Sequence, residues 1–107
     1  MKRYSIIHDL DDRTCLICGS TYNTHIHEVY YGRANRRLSI EYGLCVRLCP
    51  RHHNEGDASV HSNKVLDNKL KANVQNIAMK HYGWTEQDFI RIFGKSYIHR
   101  IKEKKYE

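Results

Sequence analysis

Residues 48–53, Leu-Cys-Pro-Arg-His-His, decide the reading of this chain. They answer Cys15-Leu16-Ile17-Cys18, with 30 residues between Cys18 and Cys49. Cys-x-x-Cys and Cys-x-x-His are spacings at which one turn aims two soft ligands at a tetrahedral zinc. Cys15, Cys18, Cys49 and His52 therefore read as a structural zinc site, closed by four protein ligands. Cys45 competes with His52 for the fourth place. The x-x spacing favours His52 and makes Cys45 a core thiol on the apolar run 44–48. Two disulfides in a secreted chain are the alternative, and they would make the histidine placement accidental.

A chain of 107 residues holds one domain and not two. Only 40% of it is hydrophobic, and eight tyrosines belong to that share. The core is thus thin, and a structural metal would help stabilise it. The net charge of +6 favours a polyanionic partner such as nucleic acid. Solvated surface lysines are the bland alternative. The N-terminal residues hold no apolar run of signal-peptide length, and no stretch approaches a membrane span. The expected compartment is a reducing cytoplasm, where thiols bind metal more often than they pair.

Along the chain, Tyr4–Ile7 reads as a short strand and Cys15–Gly19 as the first metal turn. Thr24–Tyr31 is β-prone, and alternation puts His25, His27, Val29 and Tyr31 on one face and Ile26, Glu28 and Tyr30 on the other. Residues 33–43 are a basic loop or short helix. Leu44–Leu48 is a brief strand, and residues 49–53 open a helix. Ser62 or Asn63 caps a helix from about Lys64 to His81, with Val65, Leu66, Leu70, Val74, Ile77 and Ala78 as its apolar stripe and Gly83 as its stop. Thr85 and Asp88 resemble a capping box for a second helix carrying Phe89, Ile90 and Phe93, stopped by Gly94.

Once zinc has taken its ligands seven histidines remain, and His25, His27, His53 and His61 are the informative ones. A strand histidine facing a helix histidine suits phosphodiester hydrolysis: one imidazole accepts a proton from water, another holds a divalent cation against the phosphate. Each histidine alone more often packs; the joint spacing points to chemistry. His8, His81 and His99 read as packing or surface residues. Between residues 33 and 51 lie Arg33, Arg36, Arg37, Arg47 and Arg51 with one acidic residue, Glu41. Such a cluster grips phosphates without reading bases. Tyr30, Tyr31 and Tyr42 would stack on bases or pack.

In this combination the chain resembles the HNH endonucleases, the ββα-metal superfamily, and in particular small phage-encoded members. The resemblance rests on residues 15–18, on His25-Ile26-His27-Glu28-Val29, on residues 32–44 and on residues 48–53. It runs from Cys15 to His61. It implies an α+β fold: a zinc-stapled ββα-metal hairpin–helix core (15–61) with C-terminal helices (about 64–93) packed on it, in one domain 1–98, and a polar tail 99–107. It implies a metal-dependent DNA endonuclease or nickase in the cytoplasm of a bacterial host or encoded by a phage. Double-stranded, weakly sequence-specific DNA is the expected partner, and a homodimer is compatible with it.

On that likeness, His53 and His61 hold a catalytic Mg²⁺, Mn²⁺ or Ni²⁺, with Glu28 a candidate further ligand, and His27 is the general base. The reverse order, with Glu28 as base, stays open, although a carboxylate near pKa ~4.3 is the poorer acceptor beside an imidazole near ~6.5. One of Arg33, Arg36 or Arg37 steadies phosphate charge. The family's middle asparagine has no counterpart at its usual spacing; Gly43-Leu44 stands there, with Asn35 and Asn54 nearby. A catalytically weak or inactive zinc-stabilised module binding DNA or protein is the alternative function.

Overall fold

Residues 2–99 are described by the computed structural model. Alternating side chains form β1 (His25–Glu28), which pairs antiparallel with β2 (Cys45–Leu48), setting His27 opposite Val46 and Glu28 opposite Cys45. Between the strands runs α1 (Arg33–Glu41), and β2 leads through Cys49 into the short α2 (Pro50–His53). Pro50 occupies the first turn of α2, where its missing N–H costs nothing. A long helix, α3 (Lys64–Tyr82), and a short one, α4 (Glu86–Phe93), complete a small α+β domain. Among the described residues it has one two-stranded sheet and four α-helices.

Local signals place the C-terminal helices. Asn63, not Ser62, caps α3 by accepting from the Leu66 N–H, and Gly83 ends it in the left-handed conformation. Thr85 and Asp88 form the reciprocal capping box of α4. The inward face of α3 is rotated from the expected stripe. Leu70, Val74 and Ala78 are buried, but Val65 and Ile77 are exposed, and Asp67, Lys71 and Gln75 turn inward. These polar residues have partners inside: Gln75 accepts from the Tyr97 N–H at 2.8 Å and donates to Ser96 Oγ at 3.0 Å.

The two halves meet at Tyr30. Its ring is fully buried and lies 4.8 Å from Phe93, 5.3 Å from Phe89 and 5.4 Å from Tyr97. Its hydroxyl donates to the Lys71 carbonyl of α3. Leu44, Val46, Leu48, Val60 and Val74 close the same core.

The N-terminal segment forms no strand. Residues 4–7 instead make one ladder-like contact, Ile6 N–H to Gly43 O at 2.9 Å, and the Tyr4 ring occupies the space a Cβ on Gly43 would need. The loop after β1 is not held by an asparagine. Asn35 donates to the Phe93 carbonyl at the end of α4, and Asn54 is the exposed C-cap of α2. Ser39 holds the loop: its buried hydroxyl donates to Tyr30 O at 2.7 Å and accepts from Tyr30 N–H at 3.0 Å. Ser39→Ala strands both backbone groups without water. It is expected to destabilise the fold by about 2–4 kcal/mol, read as a lower midpoint in urea unfolding with an unchanged slope.

Of the proposed polar tail, His99 is exposed and its Nε2 lies 2.8 Å from Glu86; residues 100–107 lie outside the described residues. No helix among those described is long and apolar enough to cross a membrane.

Candidate metal centres

The first knuckle is built by backbone hydrogen bonds. Gly19 N–H reaches back to Cys15 O at 2.9 Å, with Gly19 at φ 79°, a conformation that favours glycine. Leu16 N–H donates to Arg47 O at 2.9 Å, which lays the knuckle against the end of β2. Cys49 sits at the N-cap of α2, and one turn later His52 points back at it.

Four ligand atoms converge as a result. Cys18 Sγ lies 3.6 Å from Cys49 Sγ, and His52 Nδ1 lies 3.3 Å from Cys49 Sγ and 3.8 Å from Cys15 Sγ. Zinc bonds of ~2.3 Å to sulfur and ~2.0–2.1 Å to nitrogen give tetrahedron edges of roughly 3.5–3.8 Å, so the donors fit one ion. Burial pushes the Cys15 thiol up, but backbone N–H groups of Cys49, Cys18 and Ile17 outweigh it and leave the thiol below its ordinary range. Cys15, Cys18, Cys49 and His52 are positioned to bind a metal ion. Cys45 is not part of this set. It is buried under β2 beside the Ser39 carbonyl, and burial raises its thiol to about 12.

A second cluster stands beside the first. His27 comes from β1, His53 from α2, and His61 from the loop that follows. That loop folds back on α2 through Val60 N–H to His52 O (2.9 Å) and His61 N–H to His53 O (3.4 Å). Because Asn63 caps α3, His61 is left to face its neighbours. Ring centroids are 5.2 Å apart for His27–His53, 5.3 Å for His27–His61 and 5.0 Å for His53–His61. One ring nitrogen of each lies within 4.8 Å of the others.

The chain has no significant match to any family model, curated protein or solved structure. The chemistry of the second cluster is therefore read from its own atoms. His27 is only 3% exposed, and its Nε2 is buried without a hydrogen-bond partner. Burial, helped by the charges of His53 and His61, lowers its pKa to about 3. Burial also lowers that of His53. His27 is therefore neutral at neutral pH and can turn a ring nitrogen lone pair toward the cluster. A buried ring nitrogen without a partner, beside the ring nitrogens of two more histidines, is a group that could hold a metal ion. Exposed His25 shares this strand face, stacked 6.2 Å from His53.

Glu28 is not a member of the three-histidine set, although its charge is felt at His53. It lies on the other strand face, its carboxylate 2.6 Å from Arg3 Nε and 3.6 Å from Arg36 Nε. The arginines divide as well. Arg33, Arg36 and Arg37 are exposed on α1, and Arg51 is exposed on α2. Arg47 is a brace, donating to Leu10 O at 2.9 Å and Thr24 O at 3.1 Å. His8, read as a packing residue, accepts from the Arg47 N–H at 3.0 Å along the free side of β2.

Proposed function

We propose that this chain is a zinc-stapled, metal-dependent nuclease of the HNH type, hydrolysing phosphodiester bonds in DNA. The observation that carries the reading is the meeting of His27, His53 and His61 from a strand, a helix and a loop, directly beside a complete Cys₃His set. The strand pair followed by α2 has the order of a ββα-metal core, with α1 inserted in the connection.

Zinc is the ion for the sulfur-rich set, since its thiolate and imidazole donors and closed tetrahedron suit that metal. The second set is three imidazoles with no carboxylate. That chemistry favours Ni²⁺, Co²⁺ or Zn²⁺ over Mg²⁺, which prefers oxygen ligands. A divalent ion there would polarise the scissile phosphate and offset charge on the leaving oxygen.

The residues divide the remaining work. His27 is a ligand in this reading rather than the proton acceptor, because it is buried away from water and its basicity is suppressed. His25 is exposed on the same face and is placed to take the proton of an attacking water. Glu28 orients Arg36, whose side chain is 62% exposed and can meet a phosphate as well. Arg33, Arg37 and Arg51 add a sequence-independent grip.

Purified protein should nick or cut supercoiled plasmid when Ni²⁺, Co²⁺ or Zn²⁺ is supplied. Absence of turnover with every divalent ion, alongside salt-sensitive DNA retention, would instead support a non-hydrolytic binding module. The engagement of Glu28 by two arginines favours that second reading. Arg37→Ala should lower the slope of log affinity against log salt by about 1, as loss of one phosphate contact does. Arg47→Ala should leave that slope unchanged and lower the melting temperature. Equal effects on the slope would remove the division drawn between the two arginines.

A further inference from the structure

Two charged residues of α3 lie in the interior and belong to neither ligand set. The Asp67 and Lys71 side chains are 9% and 11% exposed, and Lys71 Nζ lies 3.0 Å from Asp67 Oδ2, one helical turn away. A buried ion pair contributes little net stability, because desolvation consumes most of the attraction. A pair of apolar residues would serve the core as well.

Their third partner suggests what they do. Tyr31 donates its hydroxyl to the same Asp67 Oδ2 at 2.6 Å, and Lys71 Nζ sits 4.0 Å from the centre of the Tyr31 ring. That ring lies 5.8 Å from His27 and 5.3 Å from His61. Among the described residues, two buried side-chain polar atoms lack a partner: His27 Nε2 and Asp67 Oδ1. Among the described residues, the unspent buried side-chain hydrogen-bonding capacity therefore lies in the histidine cluster and in the carboxylate that holds its neighbouring tyrosine.

We propose that Tyr31, Asp67 and Lys71 form a supporting unit that sets the ion affinity of the three-histidine centre. The inference rests on the reading that this centre takes an ion. Tyr31 limits the rotation of the His27 and His61 rings by packing against them, and Asp67 fixes Tyr31. Asp67 also cancels the Lys71 charge, which would otherwise repel a divalent cation. All three are positioning residues. Groups that orient metal-ligating imidazoles from behind typically change metal affinity about 10- to 100-fold when altered.

Calorimetric titration of Ni²⁺ into the zinc-loaded full chain, with the visible spectrum of the Co²⁺-loaded protein, tests this. Asp67→Asn should weaken Ni²⁺ binding about 10-fold or more, with zinc still bound at the cysteines. Adding Lys71→Met to it should recover most of that loss, a rescue that a purely structural role does not predict. Tyr31→Phe should change the Co²⁺ spectrum while the zinc content stays at one per chain. Unchanged Ni²⁺ affinity in both single variants, with wild-type protein binding the ion normally, overturns the proposal alone. If Asp67→Asn fails to fold, the neutral double variant still decides: near-wild-type affinity supports the charge argument, and a full loss overturns it. Wild-type protein that takes up no second ion overturns the reading of the histidine centre, and this proposal with it.

Discussion

Cys49→Ser is expected to yield a chain that no longer melts cooperatively near the wild-type temperature. Cys49 is the hub of its cluster: buried, 3.6 Å from Cys18 Sγ, 3.3 Å from His52 Nδ1, and the N-cap of α2. Losing it frees the knuckle and α2 together. Structural zinc contributes on the order of 10–16 kcal/mol in small zinc-folded peptides, whereas whole domains are stable by only ~5–15 kcal/mol. The hydrophobic contacts around Tyr30 stay in place, so residual helix in α3 and α4 is expected. A loss of several kcal/mol at about 4–8 °C per kcal/mol lowers the melting temperature by roughly 15 °C or more. Metal analysis should find one tightly held zinc per wild-type chain and none in the variant. Cys45→Ala should keep the zinc, because that thiol lies outside the ligand set. A wild-type melting temperature indifferent to a strong chelator would remove the zinc staple from the account.

His53→Ala should abolish plasmid cleavage, by about 10³-fold, while the zinc content stays unchanged. His53 is central to its cluster, with its ring beside His25, His27 and His61. It is also adjacent in sequence to a zinc ligand without being one. A catalytic ion supplies several kcal/mol of transition-state stabilisation, and each 1.36 kcal/mol is tenfold in rate. His27→Ala should behave in the same way and should also weaken Ni²⁺ binding. His25→Ala should separate from both: its Ni²⁺ affinity stays, and its turnover falls by about 10²- to 10⁴-fold, as for loss of a general base. Zinc content and melting temperature distinguish these effects from misfolding. Wild-type cleavage by a folded, zinc-loaded His53→Ala protein would dispose of the histidine centre as the reactive site.

The features legible from the amino-acid order alone are those whose code acts over a few residues. The Cys-x-x-Cys and Cys-x-x-His turns, the β-prone run 24–31 that holds the strand at 25–28, a cap at Ser62 or Asn63, the cap at Thr85 and the stops at Gly83 and Gly94 all depend on neighbours within one or two turns. The grouping of His27, His53 and His61 was also within reach, because the metal turn ties the strand to the helix and leaves few places for the spare imidazoles. Tertiary structure alone decided what each polar side chain meets at long range. Ser39 holds a loop nine residues back, Arg47 braces carbonyls 23 and 37 residues away, and Tyr31 reaches Asp67 across 36. A charged residue on a helix reads as solvent-facing until packing sets the helix rotation. Here that rotation turned Asp67 and Lys71 inward and left Val65 and Ile77 outside. Local turn chemistry thus specified where the ligands stand, whereas the docking of α3 against α4 and against Tyr30 and Tyr31 after β1, contacts between distant segments, selected their supports.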